Sequence, residues 1–383
     1  MDEPRESHPP LEGEKALCAM SGGVDSSCAA LLLKRLGARV TGCTMKLLNG
    51  EDETEAGEGR CCSLADVRDA GSVCEALDLD FLVFNFTRLF QREVVERFVR
   101  AYLQGLTPNP CVDCNRRLKF HHLFDRARAL GCRYVATGHY ARIEKDEEGR
   151  LLLKKALDPE KDQSYVLYFL GQKDLARVLF PLGGLAKSEV RRIAAAAGLK
   201  TARKKESQDI CFVRDGNYGD FLEKTLGVPP KPGDILDPRG RVLGRHRGIH
   251  HYTVGQRRGL GLPGPDPSYV LEIDAAANTV TAGPPEGLRS KAMLVGSVNL
   301  VALTELPETL ECSVKIRYRQ KEKPALLRPL SRAEVLVEFA EPQNAVAPGQ
   351  AAVFYQGDVV LGGGVIVKAV KDWEPLPRRL RPD

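Results

Sequence analysis

The loop at residues 21–27, Ser-Gly-Gly-Val-Asp-Ser-Ser, constrains the fold more than any other feature of the sequence. The apolar residues 16–20 before it predict a short buried strand, and residues 24–36 place apolar side chains at helical spacing. Gly22 and Gly23 let the backbone approach a phosphate closely. A helix N-terminus also offers N–H groups and a positive dipole to an anion. The sequence therefore predicts a phosphate-binding loop between a strand and a helix.

The side chains of this loop indicate which phosphate chemistry it serves. Ser21, Ser26 and Ser27 are candidate hydroxyl donors, and Asp25 is a candidate ligand for a Mg²⁺ ion that bridges phosphate oxygens. No Lys-Ser or Lys-Thr pair follows the glycines, so the loop is not a Walker A motif. It resembles the PP-loop of ATP pyrophosphatases, which hold the pyrophosphate of ATP and transfer AMP. The plain alternative is an N-capped helix after a glycine turn.

The first half of the chain alternates strand and helix patterns. Strands are predicted at 16–20, 40–47, 81–86 and 134–137. Helices are predicted at 24–36, 63–77, 89–104, 118–130, 165–170 and 188–197. This order predicts the α/β class, with a doubly wound parallel sheet and helices on both faces.

The pattern changes after about residue 213, where glycine and proline become frequent. Short β-like segments predict a small β-rich domain; they lie at 242–243, 252–254, 270–273 and 279–281. Longer ones predict a C-terminal antiparallel β-barrel; they lie at 312–318, 333–339, 351–355 and 359–367. We therefore expect an ATP-binding catalytic domain, a central β-rich domain and a barrel domain with a basic tail, at residues 1–213, 214–290 and 291–383.

Composition and charge restrict the environment and the partners. No stretch approaches the ~20 apolar residues of a membrane span. The acidic N-terminus has no apolar signal core, so we expect a cytoplasmic protein without a membrane partner. The net charge of +5 permits a nucleic-acid partner, and several basic clusters strengthen that expectation. These clusters lie at 203–205, 239–258, 317–323 and 378–381.

The chain has 11 cysteines, an odd number that argues against a disulfide framework. Most lie in apolar patterns typical of buried thiols. Cys111 and Cys114 differ, because they open a predicted helix in the proline-bracketed segment 107–115, and a helix N-terminus lowers the pKa of a thiol. Cys211 follows much later in the chain. Nothing in the spacing shows that Cys211 meets Cys114.

Together these motifs resemble the tRNA-specific 2-thiouridylases, a family that thiolates the wobble uridine of certain tRNAs. The resemblance extends from Lys15 to about Lys368. It rests on the phosphate loop and on motifs at 107–120, 136–140, 161–165, 206–212, 251–256, 317–320 and 348–350. Individually these motifs vary in strength, but in this order they are highly specific.

The resemblance implies roles for the matching residues. Those expected to bind ATP are Ala19, Met20, Ser21, Gly22, Gly23, Val24, Asp25, Ser26, Met45 and Gly138. Cys114 matches the nucleophile, and Cys211 matches the cysteine that carries a persulfide. Those expected to contact tRNA are Asn109, Pro110, Cys111, His139, Lys161, Asp162, Gln163, Arg317, Tyr318 and Gln350. Without the resemblance, His139 would be read as a core histidine at a strand end.

The implied reaction is chemically coherent. The C2 carbonyl of uridine has a poor leaving oxygen, and adenylation by ATP converts it into an AMP ester that a sulfur nucleophile can displace. The base must also leave its stack to be reached. The expected cofactors are ATP and Mg²⁺. The expected partners are the anticodon loop of a tRNA and a sulfur donor, such as a cysteine desulfurase or a persulfide relay protein.

Cys111 departs from the family pattern, since most members have Asp at this position. With Cys114 and Cys211 it gives three thiolates, which suit a [4Fe–4S] cluster with an open iron that can hold sulfide. Two mechanisms therefore remain open. In one, Cys211 carries a persulfide and Cys114 assists by forming a disulfide; in the other, a cluster delivers the sulfur. A third interpretation is that Cys111 is a passive substitution.

Other protein classes remain as alternatives. Amidotransferase synthetases and tRNA lysidine synthetase share the ATP loop but need neither Cys114 nor Cys211. A non-catalytic RNA-binding protein whose cysteines hold zinc would need four ligands, and the sequence contains only one CxxC pair near its helix.

Overall fold

The computed structural model describes residues 11–48, 64–204, 210–213, 218–227, 229–263, 266–372 and 375. The chain divides into two compact units that interleave along the sequence. The first unit comprises Met1–Val95, Cys111–Phe212 and Asp358–Val360. The second comprises Glu96–Pro110, Val213–Gly357 and Leu361–Asp383. The predicted three-domain boundaries stay a prediction.

The first unit contains a parallel sheet of order β3-β2-β1-β4-β7. Its strands are β1 Lys15–Ala19, β2 Arg39–Lys46, β3 Asp80–Asn85, β4 Tyr134–Thr137 and β7 Val178–Leu179. Strand β1 lies between β2 and β4, and Ala16, Leu17 and Cys18 in it are fully buried. A strand flanked on both sides and covered on both faces is continuously apolar, as the sequence predicts. The predicted α/β class is confirmed.

The helices, numbered in chain order, are short and follow the predicted order in the first half. They are α1 Val24–Arg35, α2 Leu64–Ala76, α3 Thr87–Phe90, α4 Glu96–Leu103, α5 Pro110–Asp113, α6 Leu123–Ala129, α7 Gln172–Leu175, α8 Lys187–Ala196 and α9 Tyr218–Leu226. Two π-helical segments, Gln91–Val95 and Cys114–His122, accompany them. Val24, Cys28 and Leu31 of α1 pack in one core with Cys18 of β1 and Val190 of α8.

One expectation for the first unit was wrong, and one pair of strands was not predicted. Residues 165–170 form no α-helix; a 3₁₀ turn, Ser164–Val166, is followed by irregular backbone. Nearly every side chain of this segment is buried, so its sequence is apolar almost without interruption. Such a run lacks the alternation of apolar and polar faces that distinguishes a helix. The hairpin of β5 Ala141–Lys145 and β6 Leu151–Lys155 was not predicted. Val359 pairs with Lys154 of β6, which explains why residues 358–360 belong to this unit.

The second unit begins with a four-stranded sheet of order β10-β11-β8-β9. Its strands are β8 Gly233–Leu236, β9 Val242–His246, β10 Tyr269–Asp274 and β11 Thr279–Gly283. The strand predicted at 252–254 is absent from this described part of the chain; a 3₁₀ turn, Ile249–His251, leads there into a loop. The ring of Tyr252 is buried in the small core of this sheet, which accounts for the apolar pattern.

A closed antiparallel barrel completes the second unit, as predicted. Its strands are β12 Arg289–Leu300, β13 Leu310–Lys315, β14 Lys323–Pro329, β15 Glu334–Asn344, β16 Ala351–Gln356 and β17 Val359–Lys371. The order is β12-β15-β14-β13-β16-β17, and β12 pairs with β17 to close the ring. Strand β14 was not predicted, because Pro324 and Pro329 near its ends read as breakers. Among the described residues, no helix has the length and apolar character needed to span a bilayer.

Candidate active site

The parallel sheet brings predicted ATP residues to one edge. Ala19, Met45 and Gly138 lie at or just beyond the carboxyl ends of β1, β2 and β4, which are adjacent strands. Ligands of open α/β sheets bind outside these ends, where the strand order reverses. The loop 21–27 leaves β1 at the same edge and enters α1.

The backbone of the loop packs closely against its neighbours and leaves the N-terminus of α1 open to an anion. Gly22 has a φ of +69°, and a Cβ there would lie 2.4 Å from the carbonyl oxygen of Asp66. Both facts exclude a larger residue. Helix α1 begins after Gly23 with no side chain from the described residues capping its N-terminus. Its first N–H groups and its dipole therefore remain available to an anion.

The serines of the loop stabilise its shape. Ser27, expected as a phosphate donor, is fully buried and donates to the carbonyl oxygen of Gly23 at 2.8 Å. Ser26 donates to the same oxygen at 3.2 Å and accepts from the backbone N–H of Ser21 at 3.1 Å. The hydroxyl of Ser27 thus donates within the loop and is not exposed to a ligand, whereas phosphate contact by Ser21 and Ser26 stays a prediction.

Asp25 has two partners that the sequence did not indicate. The Nζ of Lys187, at the start of α8, lies 2.6 Å and 2.7 Å from its two carboxylate oxygens. The hydroxyl of Tyr140 donates to Oδ1 at 2.7 Å. Lys187 is 9% exposed and so places a buried cation beside the phosphate loop, which has no Walker lysine. Neither partner is near in sequence, and no local motif could have revealed them.

Gly138 fits directly against the first turn of α1. A Cβ at this position would lie 2.8 Å from the backbone nitrogen of Ser26 and 2.9 Å from the carbonyl carbon of Asp25. This explains sterically why glycine is required at position 138: a side chain there would prevent contact between the end of β4 and the phosphate loop.

We expect Gly138→Ala to displace the phosphate loop and to lower kcat/KM for ATP by about 100-fold, since misplacement of about 1 Å has effects of that size. Gly71→Ala is the matched control, because the nearest atom to its Cβ is 3.4 Å away. ATP-dependent pyrophosphate release is the measurement. Equal activity of the two variants would contradict the steric role.

Cys111 and Cys114 open one helical stretch. Cys111 is exposed on α5, and Cys114 begins the π-helical segment one turn later, half-buried. Positions i and i+3 share a helix face. Arg117 fixes the turn by pairing with Asp113 and with Glu93, each at 3.3 Å.

Cys211 is half-buried at the end of the first unit, and the motif residues 206–209 before it lie outside the described residues. The ring of the next residue, Phe212, packs edge-on against Phe90 at 5.6 Å. Phe90 ends α3, and the π-helical segment after it carries Glu93, the partner of Arg117. The segments that carry Cys114 and Cys211 are therefore held on the same helical support. No disulfide is present among the described cysteines.

The remaining described cysteines are unsuited to nucleophilic chemistry. Burial raises the pKa of Cys18, Cys28 and Cys312 to about 12 and that of Cys74 to about 11. Burial also raises the pKa of Cys43 and Cys132. These groups stay protonated at neutral pH, as buried structural thiols do.

The predicted RNA residues of the first unit have structural contacts. Asp162 accepts from the backbone of Ala156 at 3.2 Å and of Ser164 at 3.1 Å. Gln163 Oε1 accepts from the backbone of Tyr140 at 2.9 Å. Lys161 is half-buried. Their contact with RNA stays a prediction.

His139 lies in the core, which agrees with the alternative interpretation of a core histidine at a strand end. It is 7% exposed, its Nδ1 is 2.7 Å from Thr137 Oγ1, and its ring lies about 6 Å from the rings of Phe120 and Phe180. Burial, and then the charge of Lys119, lower the pKa of His139 well below its ordinary value of 6.5. The imidazole is therefore neutral at pH 7.

This burial predicts an acid-sensitive contribution to stability. The unfolded chain protonates His139 at a higher pH than the folded chain, so the stabilisation is complete above pH 6.5 and is lost as the pH falls. As the pH falls, we expect the unfolding free energy of the wild type to decrease more steeply than that of His139→Gln. The difference between the two slopes should be at most about 1.4 kcal/mol per pH unit. Urea unfolding from pH ~7 to ~5 measures the slopes, and parallel slopes would refute the prediction.

The predicted RNA residues of the second unit also contact the backbone. Gln350 Nε2 donates to the carbonyl oxygen of Thr107 at 2.8 Å, and Thr107 N donates to the carbonyl of Pro348 at 2.8 Å. Asn109 and Pro110 follow in the same segment, half-buried and buried. The segment that leads to Cys111 is thus held by the loop before β16.

Arg317 and Tyr318 lie after β13. Arg317 is exposed and donates to the carbonyl oxygens of Asn344 and Ala345. Tyr318 is 38% exposed, and Lys315 Nζ lies 5.8 Å from its ring centre. An exposed aromatic ring among cations suits RNA, and this role stays a prediction.

A phosphate loop without a Walker lysine, at the carboxyl edge of a parallel sheet, defines the PP-loop class of ATP-dependent enzymes. Family models match the chain at residues 14–215 (tRNA methyl transferase HUP domain), 219–284 (tRNA methyl transferase PRC-barrel domain) and 290–366 (aminomethyltransferase beta-barrel domain).

Curated relatives cover almost the whole chain. The tRNA-specific 2-thiouridylase MnmA of Chloroflexus aggregans is 52% identical over 92% of this chain and 98% of its own length. Those of Moorella thermoacetica and Geotalea uraniireducens are each 50% identical, over 91% and 93% of this chain and 98% and 96% of their own lengths. The chain belongs to the tRNA-specific 2-thiouridylase family.

Proposed function

We propose that this protein replaces the C2 oxygen of the wobble uridine of tRNA by sulfur, at the expense of ATP. One observation carries the proposal: the unit that contains the PP-loop also contains Cys111, Cys114 and Cys211, which are the cysteines among its described residues that are not buried. Membership of the 2-thiouridylase family supports the same substrate.

The first step is adenylation. The uridine O2 attacks the α-phosphorus of ATP, pyrophosphate leaves, and an AMP ester forms at C2. The N-terminus of α1 holds the departing pyrophosphate, and Lys187 neutralises charge that develops there. Asp25 orients Lys187 and Tyr140. A Mg²⁺ ion bound with ATP would supply further positive charge at the phosphates.

The second step is displacement by sulfur. In the persulfide route, the terminal sulfur of a Cys211 persulfide attacks C2 and AMP leaves with the former carbonyl oxygen. The Cys114 thiolate then attacks the inner sulfur and forms a disulfide with Cys211. The S–S bond to the base breaks, and the base keeps the transferred sulfur. A thiol reductant restores the two thiols.

Cys111 supports a second route for the sulfur. Three thiolates are a donor set that suits a cluster chemically, and Cys111 and Cys114 lie three residues apart in one helical stretch. A [4Fe–4S] cluster held by these thiolates would supply an open iron that binds sulfide. In this route the thiolates of Cys111, Cys114 and Cys211 hold iron, and adenylation is unchanged.

The activity is tested with unmodified tRNA, ATP and Mg²⁺, with sulfide in one reaction and a cysteine desulfurase plus cysteine in a second, followed by digestion and mass spectrometry of the nucleosides. The desulfurase supplies the sulfane sulfur that a Cys211 persulfide needs, whereas sulfide serves the cluster route. We expect 2-thiouridine, with one AMP and one pyrophosphate released for each sulfur incorporated. Absence of 2-thiouridine under both aerobic and anaerobic conditions would reject the proposal. AMP release without thiolation, with lysine joined to cytidine, would favour a tRNA lysidine synthetase.

Cys111→Ala separates the two sulfur routes. If the three thiols hold a cluster, anaerobically purified wild type contains iron and sulfide, and Cys111→Ala loses both together with thiolation. Cys312→Ala is the control, because Cys312 is half-buried in the other unit and desolvation raises the pKa of its thiol to about 12. An iron-free wild type that thiolates tRNA, with an active Cys111→Ala variant, assigns the persulfide route.

A further inference from the structure

A cluster of ligating side chains in the second unit has no part in the reaction above. It consists of Glu223 from α9 and of His250 and His251 from the 3₁₀ turn Ile249–His251. The ligating atoms of the three side chains all lie within 4.8 Å of one another. We propose that these side chains bind a divalent transition-metal ion, zinc or an ion of similar chemistry.

The geometry converges on one point. His251 Nε2 lies 2.7 Å and His250 Nε2 lies 3.1 Å from the same oxygen, Glu223 Oε1. A tetrahedral ion with bonds of about 2.0–2.2 Å separates its ligands by roughly 3.3–3.5 Å. An opening of roughly 0.2–0.4 Å at His250 and 0.6–0.8 Å at His251 would therefore admit an ion. Two imidazoles and a carboxylate are a donor set that zinc accepts, with water in the fourth position.

The local backbone is arranged to bring both rings to one side. Adjacent residues of a strand would point to opposite faces. The 3₁₀ turn instead leaves the rings of His250 and His251 with centres 4.4 Å apart at 38°. A Cβ on Gly219 would lie 1.7 Å from His251 Nδ1, and one on Gly248 would lie 2.5 Å from His250 Cε1. Glycine at both positions makes the room that the rings need.

Burial and charge also favour a cation. The side chains of His250 and His251 are 5% and 4% exposed, whereas Glu223 is 28% exposed. The cluster therefore joins one partly exposed carboxylate to two buried imidazoles, a donor set that a divalent cation can use.

The surroundings leave room for a water ligand. His250 and His251 line a cavity of about 340 Å³ whose wall includes Tyr102 and Tyr218. Arg247 faces the same cavity, and Asp220, 3.8 Å away, opposes its charge. The ion would join α9 to the turn 249–251, which is a stabilising role, and keep one position open to the cavity.

The test uses the full chain with Cys111, Cys114 and Cys211 changed to alanine, so that thiolates at the sulfur site bind no zinc. Zinc affinity is measured by competition with a chromophoric chelator, and zinc content by plasma mass spectrometry. We expect one zinc per chain. Glu223→Gln and His251→Asn should each weaken binding by at least about 100-fold, since loss of even an outer-shell partner costs 10–100-fold.

Asp125→Asn is the matched control, because His121, His122 and Asp125 form an exposed group with the same donor types. It should leave affinity and stoichiometry unchanged. X-ray absorption of the zinc-loaded protein should show nitrogen and oxygen ligands without sulfur. No zinc binding in the alanine background, or equal affinity after Glu223→Gln, would overturn the assignment. Thiolation of tRNA by the wild type is scored separately and does not enter this result.

Discussion

Replacement of Cys114 or Cys211 by alanine is expected to abolish formation of 2-thiouridine, by at least about 1,000-fold, the order seen when a nucleophile is removed. Both sulfur routes need these thiols: one as a persulfide and its resolving thiol, the other as iron ligands. ATP binding should be unchanged, because the PP-loop lies on β1 and α1 and neither cysteine contributes to it. Nucleoside mass spectrometry and equilibrium dialysis with ATP measure the two properties.

Cys132→Ala is the control for these variants. Its thiol belongs to the same unit and is buried, and burial raises its pKa, so it takes no part in either route. We expect normal thiolation from it. If Cys114→Ala or Cys211→Ala retained thiolation, that thiol would neither carry sulfur nor bind iron in the reaction, and both sulfur routes as written would be rejected.

The sequence was sufficient for the phosphate loop because its determinants are local. Strand, glycines and helix are contiguous between residues 15 and 35, and the structure forms them as expected. The partners of Asp25 could not be predicted in this way. Lys187 is 162 residues from Asp25 and Tyr140 is 115 residues away. The packing of α8 against α1 brings Lys187 to Asp25, and the segment after β4 brings Tyr140.

Motif matching also could not separate contact with RNA from support of the backbone. Gln163 and Gln350 matched positions expected to bind tRNA, yet each amide holds a backbone group of its own unit, at Tyr140 and Thr107. These backbone contacts become visible only with the fold, and contact of either glutamine with RNA stays a prediction.

Lys187→Met is expected to lower kcat/KM for ATP by about 100–1,000-fold, the effect of removing one preorganised charge donor from a transition state. The loop has no Walker lysine, and Lys187 is a buried cation within 2.7 Å of the carboxylate that follows the loop glycines. The hydroxyl of Tyr140 donates to the same carboxylate, so Lys187, Asp25 and Tyr140 form one hydrogen-bonded group. Pyrophosphate release with saturating tRNA is the measurement. Lys154→Met is the control, because Lys154 pairs with Glu144 at 2.7 Å in the β5–β6 hairpin.

The double variant Lys187→Met, Asp25→Asn decides what Asp25 does. If Asp25 acts by holding Lys187, Asp25→Asn alone should cost about as much as Lys187→Met, and the double variant should be no worse, since residues that act as a unit are strongly non-additive. If Asp25 instead binds Mg²⁺ independently, the two losses should multiply. We expect the non-additive result, because both carboxylate oxygens already accept from Lys187 and one also accepts from Tyr140. Mg²⁺ would then be held by the phosphates of ATP more than by the loop.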